Sequence, residues 1–211
     1  MNTDNVNPFS STVENLNFLK NLQQLTASID EGIVITDEKQ KIIWVNKAFE
    51  EICGVKLKDI KGKNPNILQG IDTNKNTVRK IGESLNKGKA VEAEILNYKP
   101  DKTPYWIKLN ISPLINDKDG LTNFVAFEHD ITREKETERN LAESENIYKD
   151  LFEHSPCVMW ICDISDFSFV EVNQTAVEKY GYSREEFLKM SLSDIKPLED
   201  HKMLEDTFSN E

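Results

Sequence analysis

Residues 30–54 read DEGIVITDEKQKIIWVNKAFEEICG and contain two short apolar stretches on either side of a polar turn. The stretches at 32–36 and 42–45 are rich in β-branched residues, which pack well in strands. This pattern predicts two β-strands joined by a tight connection. Residues 46–53 then predict a short helix, because they end at Gly54 and begin at an asparagine, a residue type that favours helix starts.

The chain that follows alternates between short helices and longer strands. Helices are predicted over 57–60 and 76–86, and strands over 91–98, 105–114 and 121–130, separated by turns rich in Asp, Asn, Gly and Pro. The short turns favour antiparallel hairpins. Two strands, several helices and three strands predict an α+β domain at 30–132, with its helices on one face of a sheet.

A change of composition marks the end of this domain. Residues 133–146 read REKETERNLAESEN, which are good helix formers with almost no apolar residues. Such a helix cannot bury a face on a core. Residues 133–150 are therefore predicted to form a linker helix.

The pattern of the first domain begins again after this linker. Strands are predicted over 157–162 and 168–172, and Asn173 lies eight residues before Gly181, as Asn46 does before Gly54. This repeat indicates a second copy of the same unit at 151–211. The copy holds only the front half, so we expect a fragment of a longer protein, or a second chain that supplies the missing surface.

The first 29 residues are predicted to form a flanking helix. Apolar residues recur every three positions over 11–29, which gives a broad apolar stripe. The stripe is consistent with a helix packed on the first domain or with a dimer contact.

Composition excludes several classes of function. The net charge of −11 argues against a nucleic-acid partner, and no apolar stretch is long enough to cross a membrane. Three cysteines at irregular spacing give no disulfide framework, which predicts a cytoplasmic location. Neither a glycine-rich phosphate loop nor a recognisable nucleophile–base motif is present, so no enzymatic activity is expected.

The residues at 30–37, 42–46, 59–65 and 128–132 together resemble the PAS superfamily, including the PAC motif at the end of the domain. Residues 173–187 resemble the front half of a second PAS domain. The resemblance implies a five-stranded antiparallel sheet enclosing a pocket. It also implies that Asp130, Ile131 and Thr132 pass a signal into the linker helix, toward a histidine kinase or a diguanylate cyclase.

Residues 62–70, GKNPNILQG, are similar to the G-x-N-C-R-F-L-Q-G motif of the flavin-binding light-oxygen-voltage domains. Pro65 lies where those domains have their photoreactive cysteine, so no cysteinyl adduct is expected. Asn66 and Gly82 replace the arginines that hold the cofactor phosphate, and Arg79 could substitute for them. Further departures are Ile107 in place of an asparagine and Glu128 in place of a glutamine.

The resemblance leaves five candidate residues for binding FMN, FAD or another pocket ligand: Asn64, Gln69, Asn97, Glu128 and Arg79. Strand alternation places Asn97 and Glu128 on the inner face, with apolar neighbours two residues away. Glu128 is then buried with a raised pKa, or else it touches solvent near its strand end. Asn64 and Gln69 either contact a ligand or only tie down helix ends and loops.

Haem and metal sites are not expected. The first domain has no histidine on its predicted inner face, and Cys157 and Cys162 would point to opposite faces of one strand.

These observations predict a sensory and regulatory PAS module of a bacterial-type signal-transduction protein. It would respond to a small molecule or a protein contact and relay the change through the linker helix to a downstream signalling domain. A homodimer through the flanking and linker helices would be the natural geometry. Two alternatives remain: a flavin-binding redox or light sensor without cysteinyl chemistry, and a ligand-free dimerisation module.

Overall fold

The computed structural model describes residues 20–116 and 120–195. Five strands form one antiparallel sheet in the order β2-β1-β5-β4-β3. Their bounds are β1 Gly32–Asp37, β2 Ile42–Val45, β3 Val91–Tyr98, β4 Pro104–Asn116 and β5 Gly120–Asp130. The predicted α+β fold with a five-stranded antiparallel sheet is confirmed. β4 is three residues longer than predicted and begins at Pro104.

Helices cover one face of this sheet. They are α1 Lys47–Cys53, α2 Leu57–Ile60, a 3-10 helix at Pro65–Leu68, and α3 Lys75–Asn86. The core between helices and sheet includes Phe49, Ile107 and Val34. The 3-10 helix was not predicted, because four residues are too few to show a helical period.

The opposite face of the sheet is partly covered by the chain before β1. Residues 20–25 are helical, and Leu22 packs against Ile33, Ile35 and Trp44. The predicted helix over 11–29 is thus seen only in part, since residues 1–19 lie outside the described residues. The contact of Leu22 supports packing on the first domain.

A 22-residue helix, α4, runs from Thr132 to Glu153, three residues beyond the predicted end at 150. The chain divides into two compact units between Thr137 and Glu138, within this helix. Among residues 20–116 and 120–195, no helix is both long and apolar enough to cross a membrane.

The second unit contains β6 Trp160–Cys162, β7 Phe169–Val172, α5 Gln174–Tyr180, α6 Arg184–Phe187 and α7 Leu192–Ile195. β6 and β7 pair in an antiparallel ladder. The predicted strand over 157–162 is too long, because Cys157 lies in an exposed bend before β6. The expectation that Cys157 and Cys162 face opposite sides of one strand is therefore wrong. Residues 196–211 of the predicted copy lie outside the described residues.

One asparagine in the first unit joins the first strand to the first helix. The Asn46 side-chain oxygen accepts hydrogen bonds from the amides of Ile33 and Phe49, at 2.8 and 3.0 Å. Its amide nitrogen donates to the Glu31 carbonyl at 2.9 Å. Asn46 is 1% exposed, so these three bonds satisfy groups that water does not reach.

The second unit repeats this arrangement around Asn173. Its side-chain oxygen accepts from the amides of Met159 and Ala176, both at 3.0 Å, and its nitrogen donates to the Cys157 carbonyl at 2.8 Å. Gly54 and Gly181 then end their helices with positive φ angles of 69° and 80°. The two units are thus built alike in these elements, as the equal spacing in the sequence predicted.

Candidate functional site

A cavity of about 200 Å³ lies between the inner face of the sheet and the helices of the first unit. Alternate residues of four strands line it, as expected for side chains that point to one face. These are Val34 and Thr36 of β1, Ile95 and Asn97 of β3, Ile107, Leu109 and Ile111 of β4, and Phe124, Ala126 and Glu128 of β5. Val91 and Ala93 lie on the same face of β3 by strand alternation, but they line a separate groove beside α3 and not the cavity.

Glu128 brings a carboxyl group into this largely apolar cavity. The residue is 3% exposed, so the alternative in which it touches solvent is wrong: β5 continues two residues beyond it and keeps it inside. The Cys53 thiol donates a long hydrogen bond to this carboxyl, with Sγ 3.9 Å from Oε2. Loss of hydration raises the pKa of the Glu128 carboxyl to about 8, so the group is mostly protonated at neutral pH.

Cys53 and Tyr105 complete a buried polar cluster with Glu128. Burial, together with the nearby carboxyl, raises the pKa of the Cys53 thiol. Burial and the neighbouring Cys53 likewise raise the pKa of the Tyr105 hydroxyl. All three groups therefore stay uncharged at neutral pH, as expected where no solvent stabilises a charge.

Two polar atoms of the first unit have no partner at hydrogen-bonding geometry within the described part of the chain. They are the Asn97 side-chain oxygen and the Tyr105 hydroxyl, and both are fully buried. The Asn97 side chain and the Tyr105 hydroxyl nevertheless lie close enough to interact with each other. A buried acceptor without a donor is costly, and natural proteins seldom keep one without a reason. Asn97 lines the cavity, so a bound molecule could supply the missing donor.

Asn64 and Gln69 lie at the rim of the cavity with Asn66. The Asn64 side-chain oxygen accepts from the Asn66 amide at 3.0 Å, and Gln69 Nε2 donates to Asn66 Oδ1 at 2.9 Å. Both predicted side chains thus hold the ends of the 3-10 helix while also facing the cavity. The bonds match the interpretation in which these residues tie down helix ends, and contact with a ligand stays a prediction.

Arg79 is the predicted site residue that the structure does not bring to the cavity. Its guanidinium lies 3.7 Å from Glu83, one helical turn further along α3, and its side chain is 66% exposed. No lysine or arginine is among the described residues that line the cavity. Gly82 does line it, at the position where an arginine was expected from the resemblance.

The predicted relay residues are tied to β4 where α4 begins. The Ile131 amide donates to the Trp106 carbonyl at 3.0 Å, and the Trp106 amide donates to Thr132 Oγ1 at 2.9 Å. Asp130 Oδ1 accepts from the Thr132 amide at 2.9 Å. The helix start is thus held to the strand by backbone and side chain together.

A second contact fixes the first turn of α4. Lys135 forms an ion pair with Glu94 of β3 at 2.8 Å and lies 5.9 Å from the centre of the Trp106 ring.

The sequence did not identify Trp106, Cys53 and Tyr105 as residues of the site or of the relay. Strand alternation could have placed Tyr105 beside Ile107, whereas the approach of Cys53 to Glu128 depends on tertiary packing.

Comparison with known proteins identifies the family of both units. A family model described as PAS domain matches residues 30–133, and a second model of the same description matches residues 146–210. A blue-light photoreceptor of Listeria monocytogenes is 32% identical over 174 residues, which are 78% of this chain and 68% of that protein.

Other relatives share shorter segments. A blue-light-activated histidine kinase of Brucella anthropi is 39% identical over 93 residues, covering 44% of this chain and 19% of the kinase. The solved structure of an RNA-binding light-oxygen-voltage receptor is 22% identical, with a TM-score of 0.54. The match covers 69% of this chain and 41% of the receptor, and at this identity it supports only the fold. The chain belongs to the PAS domain family, and its relatives include blue-light photoreceptors.

Proposed function

We propose that this chain is a sensory relay module of a signal-transduction protein. The cavity of the first PAS domain would take up a small ligand, and α4 would carry the resulting change toward a downstream signalling domain. One observation supports this most directly: Ile107 lines the cavity, and the adjacent Trp106 holds the start of α4.

Because Ile107 and Trp106 are neighbours on β4, a change of packing at the cavity can reach the start of α4 over a short distance. Successive residues of a strand point to opposite faces, so a shift of β4 that accommodates a ligand at Ile107 also moves the Trp106 backbone. That backbone carries two hydrogen bonds to Ile131 and Thr132. A displacement of a few tenths of an ångström would therefore strain or release the first turn of α4, which can act as a two-state element.

The relatives favour a signalling output. One of them is named as a photoreceptor and another as a light-activated histidine kinase. We propose a histidine kinase or a diguanylate cyclase as the downstream domain. We also propose a homodimer through α4, because Leu141, Tyr148 and Leu151 are exposed and lie seven and three residues apart.

Filling the cavity tests the relay without knowledge of the ligand. In Ala126→Leu the added side chain occupies part of the cavity, and we expect amide hydrogen exchange at residues 131–137 to change at least threefold. Ala93→Leu is the matched control, because Ala93 lies on the same sheet but outside this cavity. Equal exchange at the helix start in wild type and both variants would contradict the relay.

A flavin sensor is the second candidate function, and the buried Asn97 oxygen, which makes no hydrogen bond of good geometry within the described residues, favours it. A flavin ring carries an N–H that could donate to this oxygen, and the apolar lining suits the rest of the ring. The phosphate of FMN or FAD fits poorly, since the described lining contains no cation to hold it. Pro65 gives no thiol for an adduct.

An absorption spectrum tests this second candidate. Purified protein that has been mixed with excess flavin and then dialysed should retain flavin bands in the visible region. Asn97→Leu should retain at least tenfold less flavin, because the acceptor is lost. A colourless wild-type protein after dialysis would exclude stable flavin binding and leave the relay proposal standing.

A further inference from the structure

The end of α4 is packed into the second unit, whereas the middle of the helix is not. Residues 136–151 are exposed at every position. Phe152, by contrast, is 2% exposed, and the side chain of Glu153 is 20% exposed. Beyond the first turn of α4, these last two residues are therefore the ones best placed to act on the rest of the second unit.

Glu153 is joined to α6 by an ion pair with short hydrogen bonds. Nη2 of Arg184 donates to both oxygens of the Glu153 carboxylate, at 2.7 and 2.8 Å. Charge-assisted bonds of this length are stronger than neutral ones. The Arg184 side chain is 37% exposed, whereas both side chains of the Arg79–Glu83 pair on α3 are more than half exposed. Water therefore screens the Glu153–Arg184 pair less.

The residues around Arg184 connect this pair to the core of the second unit. Arg184 is the first residue of α6, and a capping box between Ser183 and Glu186 holds that helix start. Phe187, three residues after Arg184, is fully buried. Its ring centre lies 5.4 Å from that of Phe169 on β7. A displacement of Arg184 therefore reaches the core within one helical turn.

The chain that leaves α4 is held as well. Thr175 Oγ1 of α5 donates to the Ser155 carbonyl at 2.6 Å, which keeps the end of α4 in place beside the second unit. Rotation about the helix axis is then the simplest movement that changes the ion pair. Side-chain tips lie about 5 Å from a helix axis, so a rotation of about 20° moves a tip by about 2 Å. Such a shift would break both bonds of Glu153 to Arg184.

We infer that Glu153 and Arg184 form a latch, closed in this structure and opened by rotation of α4, through which the second unit receives the change that α4 carries. The formed and the broken pair are two discrete arrangements, as a transmitting element requires. This inference rests on the proposed relay role of α4, and it deepens that role by naming the residues that receive the change.

Amide hydrogen exchange of the whole chain tests the latch without any trigger. The Leu188 amide donates to the Arg184 carbonyl at 3.0 Å, so its exchange reports on α6. In Glu153→Gln we expect this exchange to be at least threefold faster than in wild type, because the ion pair is lost. Glu143→Gln makes the same change at an exposed position of α4 and should leave Leu188 unchanged. Equal exchange in wild type and Glu153→Gln would overturn the latch.

A double-mutant cycle assigns the effect to the pair. Arg184→Gln should speed exchange at Leu188 as much as Glu153→Gln does, and the double variant no more than either single variant, because all three remove the same interaction. Additive effects of the two changes would show that the side chains act separately, and would overturn the assignment.

The cavity-filling change Ala126→Leu tests transmission through the latch. We expect it to alter exchange at Leu188 at least twofold, and to lose this effect when combined with Glu153→Gln while its effect at residues 131–137 remains. An effect at Leu188 that is absent, or that persists with Glu153→Gln, would overturn the latch and leave the relay standing. Unchanged exchange at residues 131–137 would instead contradict the relay, and the latch would still be decided by Glu153→Gln alone.

Discussion

Replacing Glu128 with glutamine is expected to remove a fall of several kcal/mol in the unfolding free energy of the first unit between about pH 5 and pH 8. The carboxyl has a pKa of about 8 in the folded protein, against 4.5 for the ordinary group. At about 1.4 kcal/mol per pH unit, the fall amounts to about 4 to 5 kcal/mol.

The sign follows from which state binds the proton. Between the two pKa values the folded state keeps the proton of Glu128 and the unfolded state has released it. Raising the pH therefore favours unfolding until the folded carboxyl also ionises near pH 8. Glutamine does not titrate, so the variant lacks this contribution to the slope.

Denaturant unfolding at a series of pH values measures the effect. Tryptophan fluorescence in a Trp160→Phe background reports only the first unit, since the two remaining tryptophans are Trp44 and Trp106. Glu92→Gln is the control, because Glu92 is 58% exposed on the same sheet and its loss should leave the steep pH dependence in place. Parallel profiles for wild type and Glu128→Gln would show that the carboxyl is not buried.

Asn46→Ala should destabilise the first unit by about 2 to 4 kcal/mol. The change leaves the buried Ile33 amide without its acceptor, and it removes the bond from the Phe49 amide that caps α1. An unsatisfied buried group costs about 1 to 3 kcal/mol, and a lost helix cap about 1 kcal/mol. Urea unfolding followed by tryptophan fluorescence gives the difference.

Two other asparagines serve as comparisons for Asn46. Asn74 caps α3 through exposed bonds only, so Asn74→Ala should cost only about 1 kcal/mol. Asn173→Ala should destabilise the second unit and leave the transition of the first unit unchanged, since Asn173 repeats the role of Asn46 there. Equal effects of Asn46→Ala and Asn74→Ala would contradict the buried network.

The parts of the fold that follow from periodicity were predictable. Alternating apolar residues in β3, β4 and β5 identified the inner face, and the equal Asn-to-Gly spacing identified the repeat. Both signals lie within a few residues of chain, where backbone geometry fixes the direction of a side chain. Tertiary packing did not have to be known.

The tertiary contacts of the site residues could not be predicted from periodicity. Cys53 approaches Glu128 across 75 positions of sequence, and no local pattern encodes such a contact. Arg79 could have reached the cavity by its position in α3, yet Glu83 four residues on offers it a partner at the surface. The choice between those two partners depends on how the helix is rotated against the sheet.

The turn between β3 and β4 limits how this protein can change over evolutionary time. Residues 99–103 close the hairpin through bonds of 2.9 Å between Lys99 and Thr103 and between Lys102 and Lys99. A slip of β4 by one residue against β3 would exchange the two faces of β4. Ile107 would then leave the cavity, and Trp106 would lose its place beside α4. Selection on this turn therefore acts on the register of β4, and the positive φ of 72° at Lys102 disfavours β-branched replacements there.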